Sequence, residues 1–344
     1  MRKVNVAVLG ASGAVGQELL DILLERDFPI ASLRLLASAR SAGKKVSFGD
    51  EEIVVEEVTP QSFAGVNVAF FCAGGRVSQI YAQHAVEAGA VVVDNTSAFR
   101  MDPDVPLVVP EVNPQAIHEH KGIIANPNCS TTIMVLPLKP LHDAAGLKRV
   151  VVSTYQAVSG AGVAGMTELE DQVKAYANGQ PMEAKVLPFG GADKHYQIAF
   201  NLLPHIDAFL DNGYTKEEMK MIDETKKILD LPELAVTATT VRVPVLRSHS
   251  ESVNVEFQRP ITAEEAREIL KDAPGIIVQD RPEAMEYPMP WDCSGKDPVY
   301  VGRIRVDDTV PSGLNMWVVG DQIRKGAALN AVQIAEYVVA HNLF

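Results

Sequence analysis

Short apolar runs alternate with helically spaced apolar positions over the first third of the chain. Val4–Leu9 is a β-branched run that stops at Gly10. Residues 17–26 then set Leu19, Leu20, Leu23 and Leu24 at spacings that share one helical face. Further apolar runs follow at 33–37, 66–71, 90–93 and Ile123–Ala125, and a helix-like stretch covers 78–88. Strands that alternate with helices predict a parallel sheet covered on both faces.

The rhythm changes after residue 128. A helix is predicted over 130–142, starting at a cap-like Asn128 or Cys129, and a strand over 150–156. A glycine-rich stretch follows at 159–165, and helices are predicted over 167–177 and 215–229. Thr215 reads as the N-cap of the last of these, with Glu217 and Glu218 in its first turn. Alternation recurs within 236–257, as in Val241, Val243, Val245 and Val253, Val255, Phe257, and strands are predicted over 299–306 and 314–319. Strands separated by so little helix predict a mixed or mostly antiparallel sheet, hence an α+β second domain. The segment 288–294 reads as loop. In the tail, residues 321–339 carry helically spaced apolar positions that should pack back on one of the domains. The division is placed at 1–128 and 129–320, with the tail at 321–344.

Composition narrows the class. With 344 residues, 47% of them hydrophobic, the chain can fill two domain cores. A formal charge of −13 argues against nucleic acid as a partner, and any anionic substrate must be met by local positive charge. The cysteines Cys72, Cys129 and Cys293 are odd in number and far apart, with no CxxC pair. They form neither a disulfide framework nor a metal site, so a reduced cytoplasmic protein is expected. No separable signal peptide and no run long enough to span a bilayer are seen, so no membrane partner is expected.

The first candidate for chemistry is Gly10-Ala11-Ser12-Gly13-Ala14-Val15-Gly16, between the first strand and the first helix. Glycines there permit a tight turn and let backbone N–H groups approach a pyrophosphate at a helix N-terminus. Gly10, Ser12, Gly13, Ala14 and Val15 are therefore candidate dinucleotide-binding residues. After the second strand, where an NAD site usually has an acidic residue, the chain reads Ser38-Ala39-Arg40-Ser41. Arg40 flanked by Ser38 and Ser41 suits a 2′-phosphate, which predicts NADP; a basic surface loop is the other reading of the same residues.

The second candidate is Asn126-Pro127-Asn128-Cys129-Ser130-Thr131-Thr132. A thiol at a helix N-terminus gains thiolate character from the positive end of the dipole. A thiolate can add to an aldehyde and, after hydride leaves, remain as a thioester. A small buried cysteine is the alternative, and it is the reading adopted for Cys72 and Cys293. Among eight histidines, His249 stands out, because the alternating segment from Arg242 ends in the polar run Ser248-His249-Ser250.

These motifs taken together resemble the aspartate-semialdehyde dehydrogenases. The residues that carry the resemblance are GASGAVG, SAFR at 97–100, NPNCSTT around Cys129, STYQAVSGAG at 153–162 and RVPVLRSHSE at 242–251. The resemblance covers nearly the whole chain. It implies an N-terminal Rossmann-like NADP-binding domain, completed by the C-terminal helix, and an α+β catalytic and dimerisation domain on a mixed sheet. It implies reversible, NADP-dependent conversion of 4-phospho-L-aspartate to L-aspartate 4-semialdehyde and phosphate, in amino-acid biosynthesis, by a homodimer or dimer of dimers.

By the same resemblance Cys129 is the nucleophile and His249 the acid/base group, with the ordinary histidine pKa of about 6.5 suiting it to neutral pH. Gln156 orients substrate and intermediate, and Arg242 clamps the α-carboxylate. Arg100 and Lys220 hold phosphate, Glu217 meets the amino group, and Asn128 lies against the substrate. Ser159 and Gly160 border the nicotinamide. Gln322 stands where the family tends to have asparagine. Arg100, Lys220 and Arg242 would supply the local positive charge that the acidic chain requires. The alternatives are an N-acetyl-glutamyl-phosphate reductase, whose loop usually has glycine before the cysteine where this chain has Asn128, and a catalytically silent NADP-binding regulator.

Overall fold

A computed structural model describes residues 2–344. The chain divides into two units, one running to Asn128 and resuming over Gly326–Phe344, the other spanning Cys129–Lys325.

The first unit comprises β1 (Val4–Leu9), α1 (Ala14–Glu25), β2 (Ile30–Ala37), β3 (Lys45–Phe48), β4 (Glu51–Val54), β5 (Glu56–Glu57), β6 (Val68–Phe71), α2 (Gly75–Glu87), β7 (Val91–Asp94) and β8 (Ile123–Ala125). Six strands form one sheet in the order β5-β2-β1-β6-β7-β8, with every pairing parallel. Period-two alternation sends neighbouring residues to opposite cores. Val6, Val8, Phe70 and Val93 pack with Leu19 and Leu23 of α1. Ala7, Leu9, Phe71 and Val92 pack with Ala82 and Ala85 of α2. Near-continuous apolar strands are what a sheet buried on both faces requires. The predicted face of α1 is slightly rotated: Ile22 is buried, whereas Leu24 is exposed. β3 and β4 pair as a separate antiparallel hairpin that the apolar pattern does not announce.

The second unit comprises α3 (Cys129–Ala145), β9 (Leu147–Gln156), α4 (Gly162–Ala177), α5 (Lys216–Leu229), β10 (Ala235–Arg242), β11 (His249–Phe257), α6 (Ala263–Lys271), β12 (Ile276–Val278), α7 (Pro290–Cys293), β13 (Val299–Asp307) and β14 (Gly313–Gly320). Its sheet order is β10-β9-β11-β14-β13-β12. The β9–β10 and β12–β13 pairings are parallel, and the other three are antiparallel, so the sheet is mixed. The stretch 236–257 is broken in two, because Pro244 cannot donate to a ladder and Ser248 takes a left-handed φ of 74°. The 288–294 segment, read as loop, contains the single turn α7. α3 keeps its helix through Pro137 and Pro140, each of which removes a backbone donor. Most of its side chains are buried, and that packing offsets the lost hydrogen bonds.

The tail does not become helical at 321. A π-type turn covers Arg324–Ala328, and α8 (Leu329–His341) follows. Val332, Ala335 and Val338 of α8 join the core cluster of β1 and α1. Asp321 and Gln322 instead belong to the second unit, where Asp321 is ion-paired with Arg247 at 2.6 Å.

Candidate active site

Cys129 is the first residue of α3, so its sulfur lies at the end of the helix that favours negative charge. His249 is the first residue of β11 and is fully buried. Its Nε2 lies 3.5 Å from Cys129 Sγ. Nδ1 accepts the backbone N–H of Ala157 at 3.1 Å. A backbone N–H can only donate, so the neutral ring carries its proton on Nε2, facing the sulfur. The 3.5 Å approach of Gln156 Nε2 to the same ring nitrogen is then a contact between two donors and not a bond.

Burial, reinforced by Arg242, holds the His249 pKa well below the ordinary histidine value. The expectation of a histidine titrating near 6.5 is therefore corrected. Sequence spacing supplies the residue type, but burial removes the water that would solvate the cation.

Gln156 ends β9 and is held at both ends of its amide. Oε1 accepts the Thr154 hydroxyl at 3.0 Å, and Nε2 donates to Glu217 Oε1 at 3.2 Å. Arg242 ends β10, where the parallel register makes it the partner of Gln156. Its Nη1 donates to the Ala157 carbonyl at 2.8 Å. Its Nε is buried with no hydrogen-bond partner among the described residues. Burial lowers the Arg242 pKa, and Glu217 and Cys129 oppose that shift. An unsatisfied guanidinium N–H costs free energy unless an acceptor arrives, so this group is built to receive one.

Glu217 and Lys220 lie one turn apart on α5. Its start is fixed by a capping box in which Thr215 accepts Glu218 N–H and Glu218 accepts Thr215 N–H. Lys220 Nζ donates to Glu217 Oε2 at 3.1 Å and to Asp207 Oδ2 at 2.9 Å. Burial alone would lower the Lys220 pKa, but Glu217 and Asp207 outweigh it and raise the value. The sequence reading missed Asp207, which sits on a loop with no local signal. The expected surplus of positive charge is thus offset at Lys220 by two carboxylates.

Gly160 packs against this group. A Cβ there would lie 2.6 Å from Arg242 Nη1 and 3.3 and 3.4 Å from the His249 ring. Ser159 and Gln322 also meet: Gln322 Nε2 donates to the Ser159 hydroxyl, and Gln322 Oε1 accepts Ser248 N–H at 2.8 Å. Both ends of the Gln322 amide therefore hold the backbone and side chain beside His249.

The other cysteines behave differently. The Cys72 thiol is pushed up to about 12 by burial and then by Asp94. Burial pushes Cys293 up to about 12 as well.

In the first unit, Gly10 takes φ +94°, and a Cβ there would lie 2.8 Å from the Cys72 carbonyl carbon. A Cβ at Gly16 would lie 2.3 Å from the Gly10 oxygen. Only glycine fits this turn. The N-terminus of α1 has Gly13 as its cap, without a side-chain hydrogen bond, and no acidic residue in the first turn. Ser12 and Gly13 are exposed, and Ala14 and Val15 open the helix half-buried, so the N–H groups fit a pyrophosphate. Ser38 and Arg40 are exposed in the turn after β2, and Ser41 N–H bonds the Ser38 carbonyl at 2.8 Å.

Arg100 is buried, with Nε on the Asn126 carbonyl and Nη2 on the Asn95 carbonyl, each at 2.9 Å. Asn128 is buried ahead of Cys129. Asn330, which the sequence reading passed over, ties α8 to Asn126 Oδ1 at 2.6 Å and to the Val108 carbonyl at 2.9 Å. Among the described residues, no acidic, histidine or cysteine cluster suits a metal ion, and no helix is long and apolar enough to cross a membrane.

Residues 5–120 match the family described as semialdehyde dehydrogenase, NAD binding domain, and residues 138–325 match semialdehyde dehydrogenase, dimerisation domain. The aspartate-semialdehyde dehydrogenase of Bacillus subtilis is 55% identical over 343 residues, covering 99% of each chain. The structure of aspartate semialdehyde dehydrogenase II from Vibrio cholerae, complexed with ASA, has a TM-score of 0.94 at 50% identity and covers 99% of each chain. The enzyme from Candida albicans, solved with NADP, has a TM-score of 0.78 at 30% identity, covering 99% of this chain and 100% of its own.

Proposed function

The chain belongs to the aspartate-semialdehyde dehydrogenase family, and from that premise we propose that Cys129 carries its reaction as a thioester, with NADP as cofactor. The reaction is the reversible reductive dephosphorylation of 4-phospho-L-aspartate to L-aspartate 4-semialdehyde, a step of amino-acid biosynthesis. The observation that carries the thioester reading is the approach of Cys129 Sγ to His249 Nε2, with the unsatisfied Nε of Arg242 in the same unit.

In the reductive direction the Cys129 thiolate attacks the acyl carbon. A C–S bond forms, the C–O bond to phosphate breaks, and phosphate leaves. NADPH, when bound, supplies the hydride that reduces the thioester. The resulting oxyanion re-forms a carbonyl and expels the Cys129 thiolate, which restores the enzyme. Neither step on Cys129 requires His249 to lose its proton entirely. As the acid/base group, His249 acts by directing Nε2–H at the oxygen that gains charge, while the proton consumed overall ends on phosphate. Arg242 receives the substrate α-carboxylate, Glu217 its ammonium group, and Gln156 orients the acyl group between them. Lys220 and Arg100 receive phosphate, and Asn128 lines the substrate.

Gly10, Ser12, Gly13, Ala14 and Val15 would hold the pyrophosphate of NADP. Ser38, Arg40 and Ser41 would hold its 2′-phosphate, and Ser159, Gly160 and Gln322 would border the nicotinamide. The working form is a homodimer, or a dimer of dimers, in the cytoplasm.

The test is NADP reduction with aspartate semialdehyde, with and without phosphate. Activity should depend on phosphate and disappear in Cys129→Ala. Undiminished turnover in that variant would refute the covalent route.

A further inference from the structure

Lys220 carries a contradiction if it receives phosphate. Its ammonium has three N–H donors, and two are taken by carboxylates, Asp207 at 2.9 Å and Glu217 at 3.1 Å. These three groups sum to a charge of about −1, and Arg242, which faces Glu217, brings the cluster only to near neutrality, so a phosphate dianion gains little from Lys220 unless a carboxylate turns away. Glu217 is poorly placed to move: its side chain is 8% exposed and its other oxygen is bonded to Gln156. Asp207 is better placed, with a side chain 33% exposed on a loop.

The loop holds Asp207 in register with α5. Asp207 takes φ +67°, a conformation aspartate tolerates because its short side chain bonds locally. Its Oδ1 accepts Ala208 N–H at 2.8 Å, and the Ala208 carbonyl accepts the N–H of Lys216, the first residue of α5, at 2.9 Å. Oδ2 is thereby presented to Lys220, four residues along the same helix.

We propose that Asp207 is a positioning residue that competes with phosphate for Lys220, taking the ammonium when phosphate is absent and recapturing it as phosphate departs. The inference rests on the phosphate role proposed for Lys220. In the reductive direction it gives the departing phosphate a built-in competitor, so that product leaves a cation that is never left bare.

Asp207→Asn removes the charge while keeping the Oδ1 acceptor and the left-handed turn. In the oxidative direction, the phosphate KM of this variant should fall about threefold to fivefold, the upper part of the range for one partly exposed ion pair. Inhibition of the reductive reaction by phosphate should tighten by the same factor. Asp207→Gly, which suits the positive φ, should shift both in the same direction. A phosphate KM that is unchanged or raised in both the Asn and Gly variants, while Lys220→Met raises it, overturns the competition and leaves the Lys220 assignment standing. A phosphate KM unaffected by Lys220→Met removes that assignment, and the competition with it.

Discussion

The backbone of Ala157 holds His249 by donating its N–H to Nδ1 at 3.1 Å. The carbonyl of the same residue accepts Arg242 Nη1 at 2.8 Å. One extended residue after β9 thus sets the tautomer of the histidine and the direction of the guanidinium. A protonated His249 would turn Nδ1–H against the Ala157 N–H, which agrees with a pKa held well below the ordinary value. Any acid limb of kcat that comes from His249 should therefore lie below pH 6.5 and vanish in His249→Asn. That variant should also lose about 100-fold in kcat, the usual cost of one oxyanion donor, while Cys129 remains open to alkylation. A His249 imidazole resonance, assigned by its loss in His249→Asn, that titrates at 6.5 or above in the intact protein would contradict this.

Gly160→Ala tests the packing between the same two side chains. The new Cβ, 2.6 Å from Arg242 Nη1, must displace the guanidinium or the loop. Displacements of about 1 Å at such sites can cost about 100-fold in rate. We expect kcat/KM for the semialdehyde to fall about 10- to 100-fold, with thermal stability changed far less. Kinetics and a melting curve on the same preparation decide it.

Glu251 is fully buried on β11, two residues from His249, with neither carboxylate oxygen bonded among the described residues. Burial holds its pKa well above the ordinary carboxylate value. The folded protein therefore retains a proton that the unfolded chain loses above about pH 4.3, so this group lowers stability as pH rises towards the folded pKa. Glu251→Gln removes that dependence. The Tm gain over wild type should be larger at pH 8 than at pH 5, and an equal difference at both pH values would show that Glu251 is not protonated.

Arg40 is exposed after β2 and free to meet a 2′-phosphate. Arg40→Ala should raise KM for NADP about tenfold and leave that for NAD nearly unchanged, since a charge-assisted pair contributes about 1.5 kcal/mol or more. Equal changes for both cofactors would move 2′-phosphate recognition elsewhere.

Residues whose roles depend on a local turn were legible in the sequence. The glycine turn at 10–16 and the Asn-Pro-Asn lead into Cys129 each combine a backbone constraint with the start of a helix, and both show in a few consecutive residues. Thr215 announced its helix for the same reason. A similar Thr262…Glu265 capping box marks α6, which the sequence reading passed over. Asp207 and Ala157 were not legible, because their effects act through space: one supplies a charge from a loop, the other two backbone atoms. The His249 pKa was misread because composition carries no information on burial. The break between β10 and β11 was signalled by Pro244, but the alternation on either side obscured it.

The register of the second sheet has a wider meaning. β9 stops at Gln156, β10 stops beside it at Arg242, and β11 begins at His249. The sheet works as a ruler whose marks are the places where strands end. Apolar residues in the body, such as Val150, Val152 and Val253, can be exchanged for others of similar volume and leave those marks unmoved. A single-residue deletion inside β9, however, would turn Gln156 to the opposite face and draw Ala157 back from both side chains it orients. The enzyme should therefore tolerate drift along its strands and be unforgiving of any change in their length.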